Sequence, residues 1–231
     1  MAMNDASVVL VHGAWADGSS WAKVITPLAA SGVKAVAAPL PLTSFSDDVA
    51  ALDRTLERLE EPVVLVGHAY AGAVIGATRS EKVKALVYVA ALAPDEGETV
   101  ADVFYRGAPH PQAPKLAPDA HGWIYLPESA FAAAFAQNAS EEELAVLAAV
   151  QRPISPACIS VKTERPLWKD RPAWFLLAEQ DRMIVGDNQR FMAERMKARL
   201  RSHPVDHAPL ITAPSTVLDI IREALAEVAK G

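Results

Sequence analysis

The stretch VVLVGHAYAG at residues 63–72 decides the fold of this chain. Its apolar, β-branched start predicts a buried strand over residues 62–67, and residues 70–78 predict the helix that follows. Glycine and alanine fill the turn, as is typical where a strand and a helix approach each other closely. The stretch therefore predicts a tight strand-turn-helix unit with Ala69 in its turn.

Short β-branched runs alternate with longer helical patterns on both sides of this unit. Such alternation is typical of βαβ units, and it predicts an α/β fold with a mostly parallel six-stranded sheet and helices on both faces. The predicted strands are residues 7–11, 34–38, 62–67, 83–90, 173–178 and 198–203. The predicted helices are residues 20–31, a helix capped by Ser46 that runs to about Leu59, and residues 70–78, 188–197 and 215–229.

The alternation stops between Pro94 and about Pro172, where the chain is rich in proline, alanine and short amphipathic helices without a clear strand. The length and helicity of this segment favour an inserted lid over a loop that wanders across the surface. We therefore predict a core of residues 1–93 and 173–231 and a small helical lid of residues 94–172. The apolar faces of the lid helices are expected to include Phe131, Phe135, Leu144 and Leu147.

Composition limits the class of protein. The chain has 231 residues, 51% of them hydrophobic, and a net charge of −6 without a basic block, which suits one domain and argues against nucleic acid or an anionic membrane as partner. Cys158 is the single cysteine, so neither an intrachain disulfide nor a cysteine-based metal site is expected. Residues 1–5 carry no positive charge and Val8–Val11 is too short for a signal or membrane helix, which predicts a cytoplasmic protein.

Four predicted strands are followed by residues able to carry chemistry. In an open parallel sheet, ligands bind at the loops that follow the carboxyl ends of the strands. These loops are His12-Gly13-Ala14-Trp15 after the first strand, residues 67–72 after the third, Glu179-Gln180-Asp181 after the fifth, and Asp206-His207-Ala208-Pro209 after the sixth. Their order and placement predict one shared site.

This arrangement resembles the α/β-hydrolase superfamily, and within it the compact esterase and hydroxynitrile-lyase branch, including bacterial salicylate-esterase-like members. The resemblance covers nearly the whole chain. The family's strand-to-helix turn, the nucleophile elbow, carries G-x-S-x-G and holds a serine hydroxyl above the sheet. Gly67, Ala71 and Gly72 supply the small residues of this turn, whereas Ala69 stands where the serine is expected. Because a methyl group cannot attack a carbonyl carbon, the resemblance implies a hydrolase site without its nucleophile.

The resemblance also implies roles for other residues. His207 matches the family's catalytic base and Asp181 matches the acid that orients it, in the family's chain order of elbow, acid and base. The backbone N–H groups of Ala14 and Tyr70 match the oxyanion hole, the pair of donors that binds the developing negative charge.

Other acidic residues compete with Asp181. Glu179 is the second choice for the acid, since it lies two residues earlier at the same strand end. Asp187 also competes, and Asp206 is expected to have difficulty reaching the imidazole of its own neighbour His207.

An apolar substrate pocket under the lid is expected to use the aromatic residues near these loops, although such residues also commonly form the core. We expect His12, His68 and His203 to be structural, and His110 to belong to the lid. Because no His/Asp/Glu cluster shows metal-ligand spacing, we expect no metal, and no cofactor is implied. The predicted substrate-binding residues are Trp15, Phe104, His121, Trp123 and Tyr125.

Three functions stay open. The first is a carboxylic-ester hydrolase for small aryl or alkyl esters, whose serine has been replaced by Ala69 naturally or by engineering. The second is an enzyme that uses the His207–Asp181 dyad alone, to activate water or to abstract a proton in a lyase-like or cofactor-free oxygenase-like reaction. The third is a non-catalytic protein that binds a small ligand. Retention of both dyad residues favours an enzyme.

Two further points bear on substrate and assembly. Hydroxynitrile lyases place a lysine after the base, where this chain has Ala208, so cyanohydrin cleavage is not expected. The expected partner is a small molecule, and a homodimer through the lid or the last helices stays open.

Overall fold

The sheet organises the fold. The computed structural model describes residues 6–60 and 62–230, and in these residues six strands form one sheet in the order β2-β1-β3-β4-β5-β6, with parallel neighbours throughout. The predicted parallel six-stranded sheet is thereby confirmed. Residues 1–5, Glu61 and Gly231 of the predicted core lie outside the described residues. The strands are β1 (Ser7–Val11), β2 (Ala35–Ala38), β3 (Val63–His68), β4 (Val83–Val89), β5 (Ala173–Ala178) and β6 (Arg199–His203).

The central strands owe their sequences to burial on both faces. Every residue of β1, β3 and β5 is buried, and Lys84 is the one exposed residue of β4. A parallel sheet covered on both sides selects continuous apolar runs rather than an alternating pattern. The edge strand β6 is largely exposed and reads RLRSH. The hydrophobic core therefore lies on and around the four inner strands.

Helices fill the connections between the strands. Short 3₁₀ turns also occur at Gly18–Trp21, Pro156–Cys158 and Leu167–Lys169. No helix in the described residues has the length and apolarity that crossing a membrane requires. The helices are α1 (Ala22–Ala30), α2 (Phe45–Glu57), α3 (Ala71–Ala77), α4 (Val100–Phe104), α5 (Glu128–Ala130), α6 (Glu141–Val150), α7 (Gly186–Arg195), α8 (Pro209–Thr212) and α9 (Pro214–Val228).

The start of α2 corrects one prediction. Ser44, and not Ser46, caps this helix, because the Ser44 side chain accepts a hydrogen bond from the Asp47 amide at 3.1 Å. The backbone of Ser44 is extended, with φ −154° and ψ 161°, as the N-cap position requires. Ser46 lies inside the first turn, so its side chain cannot take that role. The short helix α8 was not predicted, although Pro209 in its first turn is a residue that commonly begins helices.

Two helix layers enclose the sheet. Helices α1 and α9 pack against each other, and α2 packs against α3. Crossover connections between parallel strands are right-handed. The chain moves one way from β1 to β2 and the opposite way from β3 to β4, so α1 and α3 lie on opposite faces. This reversal of direction between β1 and β3 also opens a crevice at their carboxyl ends.

Residues 94–172 connect β4 to β5 through α4, α5 and α6. A π-helical turn at Phe131–Phe135 continues α5 and buries both phenylalanines, while Leu147 is buried and Leu144 is partly exposed. Ile124 and Ile154 form an isolated antiparallel bridge, and no described residue of this segment belongs to a strand of the sheet. The division of the chain into a core and an inserted lid stays a prediction.

Candidate active site

The loops after β1 and β3 meet in the crevice at the strand-order reversal. Gly13 follows β1, and a methyl group built on its Cα would lie 3.0 Å from the Cβ of Ala69, which follows β3. Any larger residue at position 13 would therefore push against Ala69. The two loops thus form one surface at the carboxyl edge of the sheet.

The turn after β3 holds Ala69 in a strained backbone conformation. Its φ is +50°, in the left-handed region that residues with a Cβ rarely adopt. Such a conformation persists only where neighbouring structure determines it. Here the Ala69 carbonyl accepts hydrogen bonds from the amides of Leu92 at 2.9 Å and Gly72 at 3.1 Å, and the Ala69 amide donates to Val89 at 3.2 Å. These bonds fix the direction of the Ala69 methyl group.

His207 and Asp181 form a buried pair. The Nδ1 atom of His207 lies 2.8 Å from Oδ2 of Asp181, and their side chains are 3% and 0% exposed. The other carboxylate oxygen, Oδ1, accepts hydrogen bonds from the amides of Met183 at 2.7 Å and Ile184 at 2.8 Å. With the carboxylate acting only as acceptor, His207 donates through Nδ1. Its Nε2 atom has no hydrogen-bond partner in the described chain and is left as an acceptor.

Gln189 completes this pair and was missed from sequence. Its Nε2 group donates to Oδ2 of Asp181 at 2.9 Å and to the carbonyl of Ile184 at 2.6 Å. Its Oε1 atom accepts from the amide of Ala178 at 3.0 Å, so the side chain joins α7 to the end of β5. The available signal in the sequence was a polar residue on the buried face of the helix that follows Asp181. Gln189 therefore holds the carboxylate in place without touching the cavity.

The other acidic candidates lie elsewhere. Glu179 is exposed and accepts from the Ser202 hydroxyl at 2.7 Å, and Asp187 is exposed on α7. Asp206 accepts from the Asn138 amide, the Ala208 amide and the Thr212 hydroxyl. Among the described residues, the imidazole of His207 is therefore bonded to Asp181 and to none of these three.

Two backbone amides near Ala69 have no acceptor. Neither the Ala14 amide nor the Tyr70 amide donates a hydrogen bond to any residue within the described ranges. Both residues line the same cavity as Ala69 and His207. Buried N–H groups are nearly always paired, so these two amides are suited to donate hydrogen bonds to an oxygen atom of a ligand.

The cavity above Ala69 is apolar. It holds about 620 Å³ of free space, part of which is open to solvent. Apart from His207 and the thioether of Met183, its walls consist of aliphatic and aromatic side chains, many of them from residues 94–172. The lining residues are Ala14, Trp15, Ala69, Tyr70, Leu92, Val100, Ala101, Phe104, Tyr105, Leu116, Ile124, Ile154, Ile159, Met183, Ile184 and His207.

Two of the five residues predicted for substrate binding lie at this cavity. Trp15 and Phe104 line the cavity, whereas His121, Trp123 and Tyr125 do not. The reason is the bridge at Ile124, since neighbouring side chains in extended backbone point to opposite sides. Ile124 faces the cavity, so Trp123 and Tyr125 turn away from it, and Tyr125 is 50% exposed. His121 is exposed on the preceding turn.

The two histidines beside the elbow have structural contacts. His12 donates through Nδ1 to the Gly13 carbonyl at 2.9 Å and accepts from the Leu40 amide through Nε2 at 3.0 Å. Burial lowers the pKa of His12 to about 4. His68 donates through Nε2 to the carbonyl of His207 at 2.7 Å, and burial lowers its pKa well below the ordinary value. Both rings are therefore neutral at pH 7.

The lowered pKa of His12 predicts that the protein loses stability in mild acid. Because its pKa is about 4 in the folded state and about 6.5 when unfolded, its contribution is complete above pH 6.5 and disappears as the pH falls to 4. The full difference corresponds to about 3 kcal/mol. The free energy of unfolding, measured in urea at pH 7 and pH 4.5, should therefore fall less steeply in His12→Gln than in the unaltered protein. The exposed His121→Gln variant is the control, and equal pH dependence in all three proteins would contradict the prediction.

Comparison with known proteins assigns the class. The sequence model of the alpha/beta hydrolase family matches residues 8–220, and the chain belongs to this family. A search of curated proteins finds no match. Among the described residues, no group of three or more His, Cys, Asp or Glu side chains is placed to hold a metal ion.

Solved structures show the same fold. Polyneuridine aldehyde esterase is 20% identical with a TM-score of 0.81, over 97% of this chain and 99% of that protein. A pyrethroid hydrolase from Sphingobium faniae JZ-2 is 20% identical with a TM-score of 0.82, over 98% and 100%. The methylesterase MES16 from Arabidopsis is 18% identical with a TM-score of 0.77, over 95% and 98%. At these identities the similarity establishes the fold alone.

Proposed function

We propose that this protein is built as a carboxylic-ester hydrolase for small neutral esters, with Ala69 at the position of the nucleophile. One observation carries the proposal. The free Nε2 of His207 and two amides without acceptors belong to residues that line one cavity with the Ala69 methyl group. A base and two N–H donors around one reacting position are the parts that acyl transfer requires. Fold relatives that are named esterases support the same class of reaction.

The geometry suggests how a serine at position 69 would react. Its hydroxyl oxygen would attack the ester carbonyl carbon while His207 takes the hydroxyl proton at Nε2. Asp181 would stabilise the imidazolium through the Nδ1 hydrogen bond, and the Ala14 and Tyr70 amides would bind the carbonyl oxygen as it becomes negative. The proton on Nε2 would then pass to the departing alcohol. In a second step, His207 would take a proton from a water molecule, and that water would attack the acyl group and release it from the serine.

The cavity lining supports a neutral substrate. Every lining side chain except that of His207 is aliphatic, aromatic or, at Met183, a thioether, and none carries a formal charge. Moving a charged group from water into such surroundings without a partner is costly. An uncharged aryl or alkyl ester loses little hydration free energy on entering the cavity. We therefore expect the ester to bind more tightly than the charged carboxylate formed by its hydrolysis.

A complex of the unaltered protein with phenyl acetate tests the proposal. Because Ala69 offers no nucleophile, the ester should stay intact, with its carbonyl oxygen about 3 Å from the Ala14 and Tyr70 amides and its carbonyl carbon above the Ala69 methyl group. A crystal structure measures these distances. A carbonyl group bound away from both amides would overturn the proposal.

The His207–Asp181 dyad on its own is the second candidate. It is favoured by an Nε2 atom that is free to take a proton from water or from an acidic substrate. Slow hydrolysis of phenyl acetate by the unaltered protein, lost in His207→Ala, would support it. A protein that only binds its ligand would keep its affinity in that variant and show no turnover. The cytoplasmic location, the lack of a cofactor and the homodimer stay predictions from sequence.

A further inference from the structure

Asp48 is a buried carboxylate outside the site described above. It lies in the first turn of α2 and is completely buried. Its Oδ1 atom accepts from the Leu42 amide at 2.7 Å, and its Oδ2 atom accepts from the Tyr70 hydroxyl at 2.7 Å. Burying a carboxylate is costly unless such bonds compensate. The bond to Tyr70 connects this carboxylate to the elbow.

Tyr70 has two separate functions in the structure. Its backbone amide is one of the two N–H groups without an acceptor beside Ala69, while its side chain extends to Asp48. Burial and the Asp48 carboxylate raise the pKa of the Tyr70 hydroxyl well above its ordinary value, so this hydroxyl stays protonated and remains the donor. Holding the far end of a rigid ring restricts rotation of the backbone to which the ring is attached. The residue that carries this amide is therefore hydrogen-bonded to Asp48 at the far end of its side chain.

Asp48 also contacts the segment that walls the cavity. The Cys158 sulfur lies 3.6 Å from Oδ2 of Asp48, and the Ser155 amide donates to the Leu42 carbonyl at 3.0 Å. Ile154 and Ile159, next to these two residues in the chain, line the cavity. Asp48 therefore connects α2, to which it belongs, with the elbow and with the segment that walls the cavity.

We propose that Asp48 is a positioning residue that keeps the Tyr70 amide in place for the carbonyl oxygen of the substrate. The part of this inference that concerns substrate rests on the proposed function. A purely structural Asp48 would affect the free energy of unfolding but would leave kcat unchanged in the folded protein. A positioning role lowers kcat and leaves KM nearly unchanged, because the amide acts mainly on the charge of the transition state.

Removal of one hydroxyl group tests the proposal. In the Ala69→Ser background, Tyr70→Phe should lower kcat for p-nitrophenyl acetate about 10-fold with KM within about twofold, less than the loss of a whole oxyanion donor. Asp48→Asn should have a similar effect, and the double variant should be no worse than either, since both act through one bond. The matched control is Tyr88→Phe, because the Tyr88 hydroxyl is buried without a partner in the described chain. Equal kcat in all the folded variants would overturn the proposal.

A second measurement does not depend on catalysis. In the unaltered Ala69 protein, Asp48→Asn should move the amide resonance of Tyr70 in a ¹H–¹⁵N NMR spectrum, whereas Tyr88→Phe should not. If Ala69→Ser is folded and inert but the resonance moves, the ester-hydrolase function fails and the positioning role stands. An active Ala69→Ser protein in which Asp48→Asn changes neither kcat nor the Tyr70 resonance would refute the positioning role. Should Asp48→Asn fail to fold, the kcat of Tyr70→Phe decides.

Discussion

Ala69→Ser is expected to raise kcat/KM for p-nitrophenyl acetate by at least about 10⁴-fold, since loss of the serine from a complete triad costs about 10⁶-fold in kcat. Alanine and serine share the same Cβ, so the substitution adds one oxygen without a new backbone requirement. The φ of +50° at position 69 is already that of the strained turn. The base, its acid partner and the two amides are likewise in place. Initial rates at pH 8 measure the gain.

Removal of the base, His207, provides the control for this gain. Adding His207→Ala to Ala69→Ser should return the rate to that of the unaltered protein, because the new hydroxyl then has no group to take its proton. Retained hydrolysis in the double variant would assign the activity to another group. A folded Ala69→Ser protein that is inert towards esters of two to six carbons in the acyl chain would refute the ester-hydrolase proposal.

Gly72→Ala is expected to lower the free energy of unfolding by about 3 kcal/mol, at the upper end of the cost of overpacking a core. A Cβ at this position would overlap the Leu92 carbonyl oxygen and would lie 2.8 Å from the Cβ of Ala91. Backbone atoms must shift to relieve such contacts. The Leu92 amide donates to the Ala69 carbonyl at 2.9 Å, so the shift also disturbs the elbow. Urea denaturation measures the loss.

Gly76 offers a matched control in the same helix. A Cβ on Gly76 would meet the Tyr88 hydroxyl at 3.5 Å and its other neighbours at 3.7 Å or more, which are ordinary contacts. Gly76→Ala should therefore stabilise the protein by up to about 1 kcal/mol, since alanine is the better helix former. Equal effects of the two substitutions would show that close packing of α3 on the chain after β4 is not what requires glycine at position 72.

The candidate dyad was predictable because a parallel sheet places the ends of its strands together. Asp181 follows β5 and His207 follows β6, and these strands are neighbours in the sheet. Any such pair of loops lies at one edge, which placed His207 near several acidic residues. The family resemblance favoured Asp181 over Glu179, and the hydrogen bond between His207 and Asp181 came from the structure. Local patterns also located the strands, because burial on both faces leaves continuous apolar runs. Helix starts were less certain, since Ser44 and Ser46 both suit a cap and backbone geometry decides between them.

The sequence by itself determined the α/β class and the strand-turn-helix unit around Ala69, and it offered His207 as base with Asp181 as the first of several candidate acids. Only the tertiary structure decided that Gln189 holds the acid, that Asp48 holds Tyr70, and which aromatic residues face the cavity. The physical reason is the range of the interactions. Periodicity records the burial of each residue within its own strand or helix, whereas these contacts form between segments that packing alone brings together.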